Sequence, residues 1–177
     1  FKLLDALQQA GWKPDDDPTY RILLGGKVGL KKGHVSAFLL IEPRFTQTKE
    51  LFGIQSRVYE STPDLVLSQV SGKRPVVFVL DPTLQTGAGE RQKKAKYLST
   101  LCLVNPQKRF GVSLLMGPQC AWAASPITGS VCIIDDPTRN GATGTIPMNP
   151  LEFNPAPLGH WVEEFESIVN GLGLPAH

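Results

Sequence analysis

Asp64 opens one apolar run, Leu65-Val66-Leu67, and Asp81 closes the next, residues 76–80. Ser-Gly-Lys-Arg-Pro separates the runs. Gly72 and Pro75 punctuate the gap, so the stretch reads as two strands joined by a short turn. In a hairpin the start of the first strand lies beside the end of the second. Two carboxylates far apart in sequence would therefore meet at one end of a sheet. One or two carboxylates, completed by water and a substrate phosphate, are what a protein offers a hard cation such as Mg²⁺. Aspartate also collects at strand ends because it suits turns, and from this stretch alone both readings stand.

Other groups with chemical potential are more scattered. Arg91, Lys93, Lys94 and Lys96 cluster within a few residues, with Lys108 and Arg109 soon after. Such a cluster suits a phosphate backbone, or simply a solvated helix face. Asp135 and Asp136 end another apolar run. They would build a different acidic site if their strand lay beside that of Asp81. Asp15-Asp16-Asp17 reads as loop solvation, and His34 as a structural residue at a strand entrance. Gly25-Gly26-Lys27 lacks the spacing of a phosphate-binding loop. There is no GxSxG, and no feature pairs a histidine with a nucleophile, which argues against a serine or cysteine hydrolase.

The elements that must position these residues follow from periodicity. Residues 1–10 carry apolar positions at helical spacing, with Gly11 as a stop and Trp12 free to fold back. From Tyr20 the texture becomes a meander of short strands over 20–24, 27–30 and 35–41, with glycine pairs at the turns. Residues 43–52 read as a loop or short helix containing Glu50, and 54–59 alternate as a half-buried strand does. After the hairpin, 84–89 form a connector and 90–104 a helix, with Ala95, Leu98, Leu101 and Cys102 on one face. Residues 112–116 and 131–134 read as short buried strands, and 117–129 as a loop carrying Trp122. The stretch 135–141 is turn chemistry. A final amphipathic helix spans 158–172, its Glu163, Glu164 and Glu166 facing water. The order implies an α/β fold, a mixed sheet flanked by helices.

Composition bounds the class. The chain has 177 residues, 41% apolar and 19% charged, as expected of one globular domain with a real core. No apolar run approaches the ~18 residues of a membrane span. A net charge of +2 does not by itself imply a nucleic-acid partner. Cys102, Cys120 and Cys132 form neither CxxC nor a zinc pattern, so they are expected to be reduced and the chain cytoplasmic. The opening FKLLDALQQAGW has no initiator methionine and no signal-peptide pattern, as expected of a segment of a longer protein.

An opening helix, a meander, Pro63-Asp64 heading one strand, Asp81-Pro82-Thr83 ending the next and a basic helix after them together resemble the PD-(D/E)xK nuclease superfamily. Within it the chain looks most like nuclease domains of the McrC kind, found in restriction and phage-defence systems. That likeness rests on LLDALQQAGW before the meander, Lys96-Tyr97 in the helix, and Gly144-Thr145-Ile146-Pro147-Met148 before the closing helix. The resemblance implies a single restriction-endonuclease-like domain over 1–177 that hydrolyses DNA with Mg²⁺ or Mn²⁺. Asp64 and Asp81 would be metal ligands, with Glu60 a further candidate and Asp5 the acid some members place on the first helix. The family's lysine is missing, since Thr83 holds its place. The resemblance implies that the following helix supplies it, from Lys93, Lys94 or Lys96, and Lys94 is the residue chosen. Loss of that lysine also leaves a second expectation, a nuclease-like module that binds nucleic acid or docks protein without cutting. Pro82, which cannot donate to a ladder, is expected to stop the strand at Asp81.

Overall fold

The computed structural model describes residues 2–69, 75–104, 117–138 and 141–171. In chain order these form α1 (Lys2–Gln9), β1 (Lys13–Pro14), α2 (Thr19–Leu24), β2 (Gly26–Lys32), β3 (Val35–Ile41), β4 (Phe45–Thr46), β5 (Ile54–Ser56), β6 (Glu60–Ser61), β7 (Leu65–Gln69) and β8 (Val76–Pro82). Then come α3 (Ala88–Gln92), a 3-10 turn (Lys93–Lys96), α4 (Tyr97–Thr100), β9 (Leu101–Leu103), β10 (Cys120–Ser125), β11 (Ile133–Thr138), β12 (Gly141–Pro147) and α5 (Ala156–Val169). The expected α/β architecture is present: a large mixed sheet flanked by helices.

Eight strands form the main sheet in the order β1-β2-β3-β7-β8-β10-β12-β11. From β1 to β8 the neighbours are antiparallel. β8, β10 and β12 are parallel, and β11 returns antiparallel at the edge. The parallel step from β8 to β10 needs a crossover. That crossover carries α3, the 3-10 turn and α4.

Alternation along each strand sends side chains to two cores. On one face Leu65, Leu67, Phe78, Leu80 and Trp122 pack beneath α1 and α5, through Leu7, Trp161 and Phe165. On the other, Leu40, Val66, Val77, Val79 and Ala121 pack against Tyr97, Leu101 and Leu103. β8 is buried on both sides from Val76 to Asp81, as a strand in mid-sheet must be.

Several sequence expectations give way. Residues 20–24 favour a strand by composition, yet Thr19–Leu24 is helical. Asp17 accepts the Thr19 backbone N–H at 2.9 Å and starts the turn. The helix expected over 90–104 is shorter and segmented. Leu101–Leu103 leaves it to pair with β5, Ile54 lying opposite Leu103. The loop expected at 117–129 contains β10, a central strand with Trp122 buried. β11 extends through 135–138, which read as turn. Glu166 is not a water-facing residue: it accepts the Trp12 indole N–H and the Lys32 ammonium, both at 2.7 Å. The strand expected at 112–116 lies outside the described residues, as do Lys108 and Arg109.

β8 also runs one residue past the expected stop, with Pro82 opposite Ala124. Backbone N–H groups alternate sides along a strand, and Thr83 N–H reaches Ala124 of β10 at 2.8 Å. The Pro82 nitrogen therefore faces the β7 side, where pairing has already ended at Leu65↔Leu80. A missing donor there leaves no ladder bond unmade.

Candidate active site

The last paired residues of the hairpin are Leu65 and Leu80. Continuing that register by one step sets Asp64 opposite Asp81. Both share the parity of Val66 and Val79, so both face the side covered by α4. Leu65 and Leu80 between them point into the other core. The two acids predicted to converge therefore do so at one sheet end.

Asp81 is 2% exposed, and a buried carboxylate needs partners. It has three. Lys94, in the 3-10 turn, places Nζ 2.9 Å from Asp81 Oδ2. The Asp64 carboxyl hydrogen-bonds to Asp81. The Tyr97 ring brings its hydroxyl close to Asp81 while donating to the Thr62 carbonyl at 3.2 Å. Burial alone would raise the Asp81 pKa, but the hydrogen bonds from Asp64 and Lys94 and the Lys94 charge hold it below its ordinary value. Asp64 takes the opposite direction. Its hydrogen bond to Asp81, then burial and the Asp81 charge, push it up to about 7. Two carboxylates side by side cannot both ionise cheaply, so a shared proton settles on Asp64. Burial, followed by the Asp81 charge, raises Tyr97 above its usual range and keeps it a neutral donor.

The remaining candidates lie elsewhere. Glu60, on β6, pairs with Arg44, whose Nε and Nη2 approach Glu60 Oε2 at 2.6 and 2.5 Å. Asp5 is exposed on α1, which covers the opposite face of the sheet. The strands of Asp81 and Asp135 are not neighbours, because β10 and β12 stand between β8 and β11. Thr83 serves the turn after β8, its Oγ1 accepting the Gln85 N–H at 3.1 Å.

One acid escaped the sequence reading. Glu42 follows β3 directly, and its backbone N–H donates to the Asp64 carbonyl at 2.7 Å. With Ile41 opposite Leu65, Glu42 is next in line beside Asp64. Its charge adds to the upward push on Asp64. The available signal was the one used for Asp81, an acidic residue closing an apolar strand.

Among the described residues no group of three or more His, Cys, Asp and Glu side chains is gathered for a metal. Two facing carboxylates with one proton between them still suit a hard divalent cation. The proton occupies the place where such a cation would offset the same excess negative charge, and Mg²⁺ takes its other ligands from water and phosphate. Asp64 and Asp81 are the residues that would hold it. Among the described residues no helix is long and apolar enough to cross a membrane. Comparison with family models, curated proteins and solved structures gives no match.

Proposed function

We propose that this chain is a Mg²⁺- or Mn²⁺-dependent endonuclease that hydrolyses DNA phosphodiester bonds in a restriction or phage-defence system, on the PD-(D/E)xK plan. One observation carries the reading. Asp64, Asp81 and an ammonium from the following helix meet at one sheet end, with Lys94 Nζ 2.9 Å from Asp81 Oδ2. The order of elements supports it too: a first helix, an antiparallel meander ending in the acidic hairpin, then a crossover helix and a parallel strand.

When bound between these carboxylates, a divalent ion lowers the pKa of water and offsets charge on the phosphate. The chain's own groups do the rest. Asp64 gives up its proton so that both carboxylates face the substrate as anions. Lys94, half-buried and held by Asp81, presents N–H donors where a water or a phosphate oxygen would sit. Thr83 does not take the lysine's part, because its hydroxyl is committed to the turn. Tyr97 walls the site and fixes the loop before β7 through Thr62. The cationic side chains of the crossover lie next to the site and would contact the DNA backbone, so binding should weaken steeply with salt.

The test is plasmid nicking in Mg²⁺ and Mn²⁺ against an Asp81→Ala control. Metal-dependent nicks that vanish in the variant support the enzyme. DNA binding with no cleavage under any divalent ion supports instead the module that binds without cutting.

A further inference from the structure

A cavity of about 380 Å³ opens at Glu42, the residue next in line to Asp64, at the low end of ligand-sized pockets, roughly 300–1,000 Å³. Its walls are Leu24, Leu40, Ile41, Pro43, Leu51 and Phe52. Glu42 and the Gly25-Gly26 backbone complete the lining. Glu42 is next in line to Asp64, so the cavity begins about one strand spacing, ~4.8 Å, from Asp64 and two from Asp81. That is the scale of one nucleotide step along a stacked strand, about 3.4 Å.

Backbone geometry marks the same place. Among the described residues only two other than glycine have positive φ, Glu42 at 50° and Phe52 at 51°. Both line this cavity. Gly25 and Gly26 add φ values of 68° and 130°, and no side chain there blocks approach to their backbone. Left-handed residues other than glycine are strained, and such strain gathers at ligand clamps. The Phe52 ring lies 5.4 Å from that of Phe38, and Lys27 places Nζ 5.1 and 4.7 Å from the two ring centroids. An apolar cavity with an aromatic wall, a carboxylate that accepts amino hydrogens and a nearby ammonium suits a nucleobase with its phosphate.

We propose that this cavity receives an unpaired nucleobase of the strand being cut, stacked on Phe52 and read by Glu42, one nucleotide from the scissile phosphate. The inference rests on the proposed nuclease reading for the identity of its ligand, but it is tested by binding alone. A base held there is out of its stack, so the favoured substrate has a single-stranded or distorted position beside the cut. Glu42 accepts from the exocyclic amino group of cytosine, adenine or guanine, whereas thymine offers it only its N3–H.

The experiment measures fluorescence anisotropy of labelled single-stranded oligonucleotides in Ca²⁺ at fixed salt. One strand has mixed sequence, one is all thymine, and one of equal length carries abasic sites throughout. The expected result is roughly tenfold tighter binding of the mixed strand than of the abasic one, the size of one base–aromatic stack. Phe52→Ala should abolish that difference without weakening abasic binding. Leu24 is 66% exposed, so Leu24→Trp fills the mouth at no risk to the core and should do the same. Glu42→Gln should bring the all-thymine strand closer to the mixed one. Equal binding of abasic and mixed strands by the unaltered protein, or a difference that survives Leu24→Trp, overturns the proposal. Base dependence without cleavage would sink the nuclease reading and leave the pocket standing, whereas cleavage without base dependence would do the reverse.

Discussion

Phe78 and Asp81 belong to one strand and serve opposite faces of it. Phe78 meets Trp161 and Phe165 edge-on, at centroid separations of 5.3 and 5.4 Å, under a helix that runs from Ala156 to Val169. Asp81 lies under a crossover cut into three short pieces, where the Tyr97 hydroxyl comes close to it. The α5 face buries bulky rings and holds the sheet. The crossover face buries Phe45 and Tyr97 and adds Asp64, Asp81 and Lys94, which on the proposed reading meet a substrate. On the proposed reading, stability and chemistry are divided across a single layer of backbone, with Leu80 and Asp81 as adjacent residues on the two sides.

Substitutions on each side should separate the two. Phe78→Ala removes a ring wedged between Trp161 and Phe165 and should lower stability by about 3–5 kcal/mol. Activity per folded molecule should persist, as checked by urea denaturation beside a nicking assay. Asp81→Ala should do the reverse. Nicking is expected to fall on the order of 10³-fold, while the melting temperature stays within a few degrees of the parent. If Asp81→Ala unfolds the protein, the division fails. Lys94→Met retains the apolar stem and removes the charge. Single-turnover cleavage should fall roughly 10²-fold, with Mn²⁺ still raising the melting temperature, since the carboxylates remain.

The smallest expected effect is a pH dependence of thermal stability. The Asp64 pKa rises from 3.8 to about 7 on folding. Its protonated form therefore stabilises the metal-free protein, fully below about pH 4, and this contribution is lost as pH climbs through 7. Asp81, lowered instead, contributes above its unfolded value and loses that only toward the acid end. Mn²⁺ needs both groups ionised. Its stabilising shift should be small near pH 6 and several degrees near pH 8, read by differential scanning fluorimetry. An Mn²⁺ shift that is flat across this range would argue against binding between the two acids.

The hairpin was legible because its signal is local, whereas Lys94 was singled out through the resemblance. Val76 to Leu80 is rich in β-branched and aromatic residues, and the register of a hairpin fixes which residues face each other. β10 was not legible. Cys-Ala-Trp-Ala-Ala-Ser has the small residues that let the crossover lie close against a central strand, and small residues are poor advertisements for a strand. The segment after Thr100 leaves the helix because β5, far away in sequence, offers Leu101–Leu103 a partner, and no helical periodicity foretells that. Thr19–Leu24 misled in the other direction: its side chains favour a strand, while Asp17 starts a helical turn. The pocket was illegible altogether, since its walls come from α2, β3 and the residues before β5.

The ammonium that serves this site rides on the crossover, 13 residues beyond the acid it pairs with, whereas the acids are anchored in the sheet. The proposed centre thus draws on two parts of the fold, the sheet and the crossover, joined by residues 83–87. On the proposed reading, a shift of the crossover would move the Lys94 ammonium away from Asp81 while Asp64 and Asp81 kept their places at the sheet end. A cleavage centre of the proposed kind would then answer to leverage on its cation without any change at its acids.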